Sequence, residues 1–549
     1  MTIPETRLQV MWNRLLAVVE EQGQALIRAA FSPIVRECGD ISAGIFDAKG
    51  RMLAQAVTGT PGHINTMAEA VKTLRDRFDL AAMRPGDIYL TNDPWIASGH
   101  LNDFLLMMPV FHRGQLVGFT ACTSHLVDLG GLGMGPEGGD IYDEGLLIPP
   151  CKLMDAGNLN TLLMEIVKAN SREPIANEGD IYALIACCET GAARLTGMME
   201  EFGLTSLDAL AAYIIETSHQ GALDAIAALP KGVWRHRLTV DGYERAIELC
   251  AVLTIAEDHV ALDFAGTSGL SSKGINVPLN YAAAYSVFAL RCIIGPDIPN
   301  NAGSLAPFRV SGPPDCILNA QPPAPVAMRH TLGQMTPDLV YGCLSQALPD
   351  LVPAEGASCM YDLPLRHTPE AVSRGDRQFA LELVFSGGTG ARPGLDGLSA
   401  TAFPSGVWGS QVETTEAVAP ILITRRELTP DSGGPGRMRG GLGQRIEAQS
   451  SLDQDFLVFL SVERVQNPAM GRFGGLAGAP GRIRIAGQSA DLPGKGEVRV
   501  MAGETLVFET PGGGGFGDPT ERRRAYVQRD LEEGLISPEA ARKIYGADR

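Results

Sequence analysis

Two histidines and two aspartates stand at the outer ends of a pair of apolar segments between residues 99 and 131. His100 and Asp103 precede the first segment, and His125 and Asp128 follow the second. Imidazole nitrogens and carboxylate oxygens together suit zinc, manganese or iron(II), without choosing among them. A metal with an open coordination position lowers the pKa of a bound water toward ~7 and so supplies a nucleophile. The alternative is that each His–Asp pair is an ordinary structural contact, worth about 0.2–1 kcal/mol.

The two apolar segments predict a β-hairpin that positions these four side chains. Residues 104–111 and 116–122 are apolar and rich in strand-forming types, and residues 112–115 between them read as a short turn. Facing residues in a hairpin are fixed by the turn, and their Cβ atoms lie ~5 Å apart. The ends of the two strands should therefore meet.

The register of this hairpin decides which polar residues meet. Centring the turn on Gly114 places Asp103 opposite His125 and His100 opposite Asp128. A bulge at Gly114 would shift this register by one residue. Unpaired carboxylates cost several kcal/mol each in a buried site, and a divalent cation removes that cost. The spacing therefore predicts a metal site at the open end of the hairpin.

Composition excludes several classes of partner. The chain has 549 residues, a formal charge of -18 and a pI near 5.0, whereas nucleic acids and anionic membranes require clustered Lys and Arg. No apolar run approaches ~20 residues, and the first residues, MTIPETRLQVMWNRLL, lack the apolar core of a signal peptide. Ten cysteines without a CxxC motif indicate thiols in a reducing compartment. We expect a cytoplasmic protein.

The periodicity of the chain favours an α+β fold built from several units. Helical periodicity covers residues 7–30, 158–229 and 280–294, while strand patterns cover 37–55 and 231–267. Asp40 should start a strand, and His63 should precede a helix that begins at Asn65 or Thr66. We divide the chain into an N-terminal α/β region with the metal site (1–157), a helical block (158–230), an α/β region (231–400), a Gly-rich β region (401–519) and C-terminal helices (520–549).

Glycine-rich stretches at residues 386–397, 431–445 and 510–519 raise the question of nucleotide binding. None has the GxxxxGK[ST] sequence of a P-loop or a GxGxxG turn between a strand and a helix, so we predict tight turns. Three arginines in these stretches could bind an anion or make structural contacts; they are Arg392, Arg437 and Arg439. GxSxG and HExxH motifs are also missing, which leaves activated water as the best nucleophile.

The chain resembles the hydantoinase B/oxoprolinase family, which comprises the B-type subunits of ATP-dependent hydantoinases and oxoprolinases and also includes the large subunits of acetone and acetophenone carboxylases. Matching segments run in order along nearly the whole chain: ECGDIS, FDAKGRMLAQ, TNDPW, GHLNDF, SHLVDLGG, YDEGLLIPP, NVPLN, PDIPNNAG, GGTGARPGLDG, DSGGPGRMRGGLG and TPGGGGFGDP. Family members often have a second histidine at position 124 and a proline at position 102, where this chain has Ser124 and Asn102.

The resemblance implies a hydantoinase B-like fold and one divalent metal, zinc or manganese with iron possible. The implied ligands are Asp40, His100, Asp103 and His125. Asp128 is then a candidate for orienting a ligand histidine, and His63, in a loosely matching segment, is a candidate catalytic residue.

The resemblance also implies a function that this chain performs only with a partner. A hydantoinase A-type ATPase subunit would use ATP to phosphorylate a hydantoin, lactam or oxoproline-type cyclic amide, and this metal-dependent subunit would hydrolyse the activated ring in a hetero-oligomer. The alternative is a subunit of an ATP-dependent ketone carboxylase of the acetone or acetophenone type. A third possibility is a non-catalytic scaffold for the ATPase subunit.

Overall fold

The computed structural model describes residues 3–57 and 59–546 and shows an α+β protein. Its α-helices are α1 (Glu5–Ala29), α2 (Pro33–Arg36), α3 (Pro61–Arg77), α4 (Ile141–Glu144), α5 (Thr161–Ala169), α6 (Pro174–Phe202), α7 (Asp208–Ala227), α8 (Leu279–Ile293), α9 (Ala302–Leu305), α10 (His330–Gly333), α11 (Thr336–Ala347), α12 (Pro369–Arg374), α13 (Val412–Val418), α14 (Arg524–Glu532) and α15 (Pro538–Lys543). Two 3₁₀ helices span Leu80–Ala82 and Pro519–Glu521. None of the described helices is long and apolar enough to cross a membrane.

The strands form four sheets. They are β1 (Ile41–Asp47), β2 (Met52–Gln55), β3 (Ile88–Thr91), β4 (Asp103–His112), β5 (Gln115–His125), β6 (Cys151–Asp155), β7 (Asn158–Leu159), β8 (Gly232–Val240), β9 (Ile247–Ile255), β10 (Val260–Asp263), β11 (Phe308–Ser311), β12 (Tyr361–His367), β13 (Ala380–Phe385), β14 (Ile421–Leu428), β15 (Gln444–Ser450), β16 (Phe456–Ser461), β17 (Arg482–Ile485), β18 (Lys495–Val500) and β19 (Thr505–Glu509). The sheet orders are β2-β1-β5-β4-β3-β6-β7, β11-β10-β9-β8, β13-β12-β16-β18 and β14-β15-β19-β17.

The predicted hairpin is confirmed as β4 and β5 in the middle of the seven-stranded sheet. Asp103 pairs with His125, as the sequence predicts. The turn is shorter than expected, because only Arg113 and Gly114 connect the strands, both with positive φ (51° and 80°). The register shifts by one residue beyond Val110, close to the turn, so this bulge leaves the outer half of the hairpin in the predicted register.

The other predicted elements are largely confirmed, with two corrections. Helix α3 begins at Pro61 rather than at Asn65, since proline at the first helical position loses no helical hydrogen bond, and His63 therefore lies in the first helical turn. Helix α11 lies in the predicted α/β region (231–400), at residues for which the sequence patterns indicate no helix. Its residues 336–345 are all buried, so it lacks the polar face by which a surface helix is recognised.

Only part of the glycine-rich stretches forms the tight turns that the sequence predicts; in one of them, Leu395 N–H donates to Arg392 O at 3.1 Å and Gly394 has a φ of 80°. They run side by side and bond to each other: Gly513 N–H donates to Gly441 O (3.0 Å), and Gly441 N–H donates to Thr389 O (2.9 Å). A Cβ on Gly513 would lie 2.0 Å from Thr389 O. Glycine is required here because backbone packs directly on backbone.

The largest apolar core joins parts of the chain that are far apart in sequence. It includes the inner side of α1, the β4–β5 hairpin and α6, and it extends to Val384 and Val407. The N-terminal region and the helices that follow it therefore share one core. The division into five units remains a prediction.

Candidate metal centre

Asp103 lies at the centre of a buried cluster at the open end of the hairpin. Its Oδ1 atom is 2.8 Å from His100 Nε2 and 3.2 Å from His125 Nδ1. One possible ligand atom from each of the three residues lies within 4.8 Å of the other two. All three side chains are buried. The strand pairing of Asp103 with His125 brings these groups together.

The second nitrogen of each histidine is held by an acceptor outside the cluster. His100 Nδ1 lies 3.0 Å from the carbonyl oxygen of Ala327, which can only accept, so Nδ1 carries the proton and the Nε2 lone pair faces Asp103. His125 Nε2 lies 3.0 Å from Glu382 Oε1, which leaves Nδ1 toward Asp103. Such contacts fix the ring orientation of metal-binding histidines.

Asp40 and His63 extend the cluster on the other side of Asp103. His63 Nε2 is 2.9 Å from Asp103 Oδ2, and His63 Nδ1 is 3.6 Å from Asp40 Oδ1. Asp40 directly precedes β1, and its carbonyl oxygen accepts a hydrogen bond from His125 N–H at 3.4 Å. Five of the six predicted site residues therefore lie in one buried network.

Asp128, the sixth, is not part of this network. The strand pairing ends at Asp103 and His125, so the predicted pairing of His100 with Asp128 does not form. The chain turns away after β5, and the Asp128 carboxylate accepts hydrogen bonds from the backbone N–H and the guanidinium of Arg172. Among the described residues, no contact joins the Asp128 carboxylate to a ligand histidine, so its role in orienting one stays a prediction.

Arg329 is the most important site residue that sequence reasoning missed. Its Nη2 atom lies 2.6 Å from Asp103 Oδ2, its Nε–H donates to Ser98 O at 3.0 Å, and its guanidinium lies 4.3 Å from the centre of the Tyr281 ring. Nothing in the local sequence around position 329 has a motif spacing that would single it out.

The four-stranded sheet β13-β12-β16-β18 adds two further carboxylates that the sequence analysis also missed. Glu382 contacts His125, as described above, and Asp362 Oδ2 lies 3.8 Å from Nε2 of the buried His330. Both acidic residues are buried, and Glu382 is the one polar residue of the otherwise apolar strand β13. An isolated acidic residue in an apolar strand was the available signal.

The surroundings shift the pKa values of the cluster residues in different directions. Burial opposes ionisation of Asp103, but the charged groups around its carboxylate, Arg329 among them, outweigh burial and hold the pKa of Asp103 well below its usual range. Burial, together with Arg329, lowers the pKa of His100 to about 3. The pKa of His125 shifts in the opposite direction from that of His100. Burial disfavours the His125 cation, yet Glu382 and Asp103 outweigh burial and raise the pKa of His125 well above its usual value.

This donor set fits a divalent transition metal. Two imidazoles and a carboxylate converge, and the buried atoms His100 Nε2 and His63 Nδ1 have no hydrogen-bond partner among the described residues. Neutral imidazole is the form that binds metal, and burial keeps His100 neutral. Asp103, His100 and His125 can hold such an ion, and Asp40, just before β1, lies 3.6 Å from His63 Nδ1.

Fold and site together define a class: an α+β protein of several sheets whose buried centre carries the imidazole and carboxylate groups typical of metalloenzymes. Comparison with known families is more specific. The hydantoinase B/oxoprolinase family matches residues 5–519, and the chain belongs to this family.

Individual relatives agree with this assignment over the full length. The chain is 28% identical to the putative D-/L-hydantoinase B-type subunit of Pseudomonas sp. (strain NS671), covering 98% of this chain and 94% of that protein. The crystal structure of ATP-dependent caprolactamase from Pseudomonas jessenii matches with a TM-score of 0.91 and 27% identity, over 100% of this chain and 96% of that chain. Nucleotide-free acetone carboxylase, at 20% identity, shares the fold with a TM-score of 0.85 over 98% and 79% of the two chains.

Proposed function

We propose that this chain is the metal-dependent subunit of an ATP-driven cyclic amide hydrolase, acting on a hydantoin, lactam or oxoproline-type ring. The observation that carries the proposal is the buried group of Asp103, His100 and His125, in which both imidazoles present a nitrogen to the same carboxylate oxygen. The similarity to a hydantoinase chain and to an ATP-dependent caprolactamase supports this substrate class.

The partner in this proposal is a hydantoinase A-type ATPase subunit. The related hydantoinase chain is named as one subunit of its enzyme, and the related caprolactamase is named as ATP-dependent. The sequence of this chain has no P-loop and no GxGxxG turn that leads from a strand into a helix. ATP is therefore assigned to the partner, which phosphorylates the amide oxygen, and the chain is active only in the hetero-oligomer.

The proposed metal is zinc or manganese, with iron possible, held by Asp103, His100 and His125 together with Asp40. When bound, such an ion supplies Lewis acidity that activates water and polarises the amide carbon. Glu382 and the Ala327 carbonyl hold the two histidines in place, and Arg329 with His63 occupies the second oxygen of Asp103.

The chemistry requires one C–O bond to form and the C–N bond of the ring to break. Oxygen from one water bonds to the activated carbon and the ring nitrogen leaves with a proton, which gives an acyl phosphate; a second water then cleaves that acyl phosphate into the carboxylic acid and inorganic phosphate. Overall, one cyclic amide, one ATP and two waters give a ring-opened acid, ADP and phosphate. His63, with Nδ1 free of hydrogen bonds among the described residues, is the proposed proton carrier.

The test uses the complex of this chain with its ATPase subunit, ATP, and either a hydantoin or a lactam. The proposal expects ring opening with stoichiometric ADP, abolished by His125→Ala. Labelled bicarbonate is included with acetone as a parallel substrate. Incorporation of labelled bicarbonate without ring opening would show that the complex is a ketone carboxylase. Full turnover by the complex with His125→Ala would show that this chain is a non-catalytic scaffold.

A further inference from the structure

A large cavity of the described chain lies apart from the metal cluster, between the end of α8 and the glycine-rich segment 386–397. Its volume is about 590 Å³, within the range of about 300–1,000 Å³ that is common for small-molecule sites. Apolar walls come from Ile293, Tyr341, Leu351 and Phe403. A cavity of this size and lining suits an organic molecule with an apolar body.

Arg392 supplies a cation to the wall of this cavity. Its Nη2 donates to the main-chain oxygen of Asp396 at 3.1 Å, while its Nε is buried and has no hydrogen-bond partner among the described residues. The Asp396 carboxylate does not neutralise it, because Arg522 binds both carboxylate oxygens at 2.7 and 2.8 Å. Arg392 therefore presents a guanidinium without an ionic partner in the described chain.

The acidic residues of the same wall leave this charge uncompensated. The carboxylate oxygens of Asp338 are already bound by the buried Arg464 at 2.8 Å, by the Ser358 hydroxyl at 2.6 Å and by the Gly356 N–H at 3.3 Å. Asp350 is exposed, where water screens its charge. Leaving a buried guanidinium N–H unsatisfied costs free energy that an oxygen anion would recover, and a planar carboxylate matches the guanidinium geometry.

We propose that this cavity is a second small-molecule site, which binds an organic carboxylate with an apolar chain and places the carboxylate on Arg392. A ring-opened cyclic amide is such a carboxylate, and identifying the occupant as the reaction product rests on the proposed function. Binding of the carboxylate itself does not, because it requires neither metal, nor ATP, nor the partner subunit.

Cys292 provides a built-in reporter for occupancy. It lines the cavity and is exposed, whereas the other nine of the ten cysteines, all within the described part of the chain, are buried or half-buried. A small thiol reagent should therefore modify Cys292 first, and a ligand in the cavity should slow that reaction. The variant Cys292→Ser shows which part of the labelling signal belongs to this thiol.

The experiment measures the rate of Cys292 labelling in the purified full chain at increasing concentrations of hexanoate or of hexanamide. The two probes have nearly the same shape and differ in charge. We expect saturable protection by hexanoate, with half-protection at a concentration about tenfold lower than for hexanamide, as one charge-assisted contact implies. Arg392→Gln should remove this difference, and Arg392→Lys should keep part of it.

Equal protection by the two probes, or no protection by either, would overturn the proposal. The comparison of probes on the unaltered chain remains valid even if an Arg392 variant fails to fold. Failure of the hydrolase assay would leave this binding result unaffected, so the two proposals fail separately.

Discussion

Asp103 and His125 face each other as the last residue pair of the β4–β5 hairpin, with Asp103 Oδ1 3.2 Å from His125 Nδ1. Successive side chains in a strand point to opposite faces, so a slip of one residue would separate these groups. The bulge beyond Val110 absorbs the irregularity near the turn and leaves the outer pairs intact. The geometry of the candidate metal centre therefore follows from the register of one hairpin.

The first prediction concerns Glu382, which holds His125 from the opposite sheet. Glu382→Gln should weaken zinc or manganese binding by about 10–100-fold, the usual effect of removing a carboxylate that orients a ligand histidine. Isothermal titration of the purified chain with each metal measures this. Glu173→Gln is the matched control. The Glu173 carboxylate accepts a hydrogen bond from the backbone N–H of Ala380, which lies on β13 together with Glu382. Unchanged affinity in Glu382→Gln would refute the assignment.

The second prediction concerns the buried pair of Arg329 and Asp103. Arg329→Met removes the guanidinium that lies 2.6 Å from Asp103 Oδ2 and should reduce the free energy of unfolding by about 3–5 kcal/mol. Added zinc or manganese should restore part of the lost thermal stability, because the metal neutralises the same carboxylate. Thermal denaturation with and without metal tests both statements.

A suitable comparison for this variant is Arg366→Met. Arg366 is a half-buried arginine that lies 4.5 Å from the Phe459 ring and 3.8 Å from a glutamate carboxylate. That variant should lose less stability and show no specific recovery with metal. Equal metal responses in the two variants would contradict the link between Arg329 and the metal centre.

The sequence predicted the part of the site that local geometry controls. Two apolar runs and the short turn between them are local signals, and they correctly paired Asp103 with His125. The same reasoning was wrong for Asp128, because strand pairing stops three residues earlier and Arg172, from a distant segment, binds its carboxylate. The register of a hairpin predicts which residues meet only where the two strands are still hydrogen-bonded to each other.

The rest of the site depends on contacts between distant segments. Arg329 and Glu382 reach Asp103 and His125 across 226 and 257 residues of sequence, and no spacing rule connects them. The packing of the glycine-rich stretches against one another was missed for a similar reason. Their glycines are required because backbone from another stretch packs against them, as Thr389 does against Gly513. The sequence of one stretch alone does not show this contact.

The third prediction concerns pH and the buried Glu144. Its Oε1 accepts the N–H groups of Val326 and Ala327 at 2.6 and 2.8 Å, next to the carbonyl that orients His100. Burial raises the pKa of Glu144 to about 8 from an ordinary value of 4.5. Between these pH values the folded state binds more protons than the unfolded state, so stability falls as pH rises and the loss is complete above about pH 8.

Glu144→Gln keeps the acceptor oxygen but does not titrate. The stability of the unaltered chain relative to this variant should therefore decrease from pH 5 to pH 8.5, by at most about 5 kcal/mol at about 1.4 kcal/mol per pKa unit. Melting temperatures of both proteins across this range give the answer. Parallel pH profiles would show that Glu144 is not protonated in the fold.

The fourth prediction concerns the packed glycine segments. Gly513→Ala should destabilise the chain strongly, by more than about 2 kcal/mol, because its Cβ would lie 2.0 Å from Thr389 O and no backbone there can move freely. Gly197→Ala is the control: it lies inside α6 with open space around the new methyl group, and it should stabilise by about 0.5–1 kcal/mol. Similar melting temperatures for the two variants would contradict direct backbone packing.

The central claim is that Asp103, His100 and His125 hold a divalent metal, and metal content measures this most directly. The purified chain, incubated with zinc or manganese and then freed of excess ion, should retain about one metal per chain. His100→Ala and Asp103→Ala should each lose it while keeping the circular dichroism of a folded protein, and Asp128→Asn should retain it. A folded Asp103→Ala protein that keeps its full metal content, or an unaltered chain that binds none, would contradict the claim.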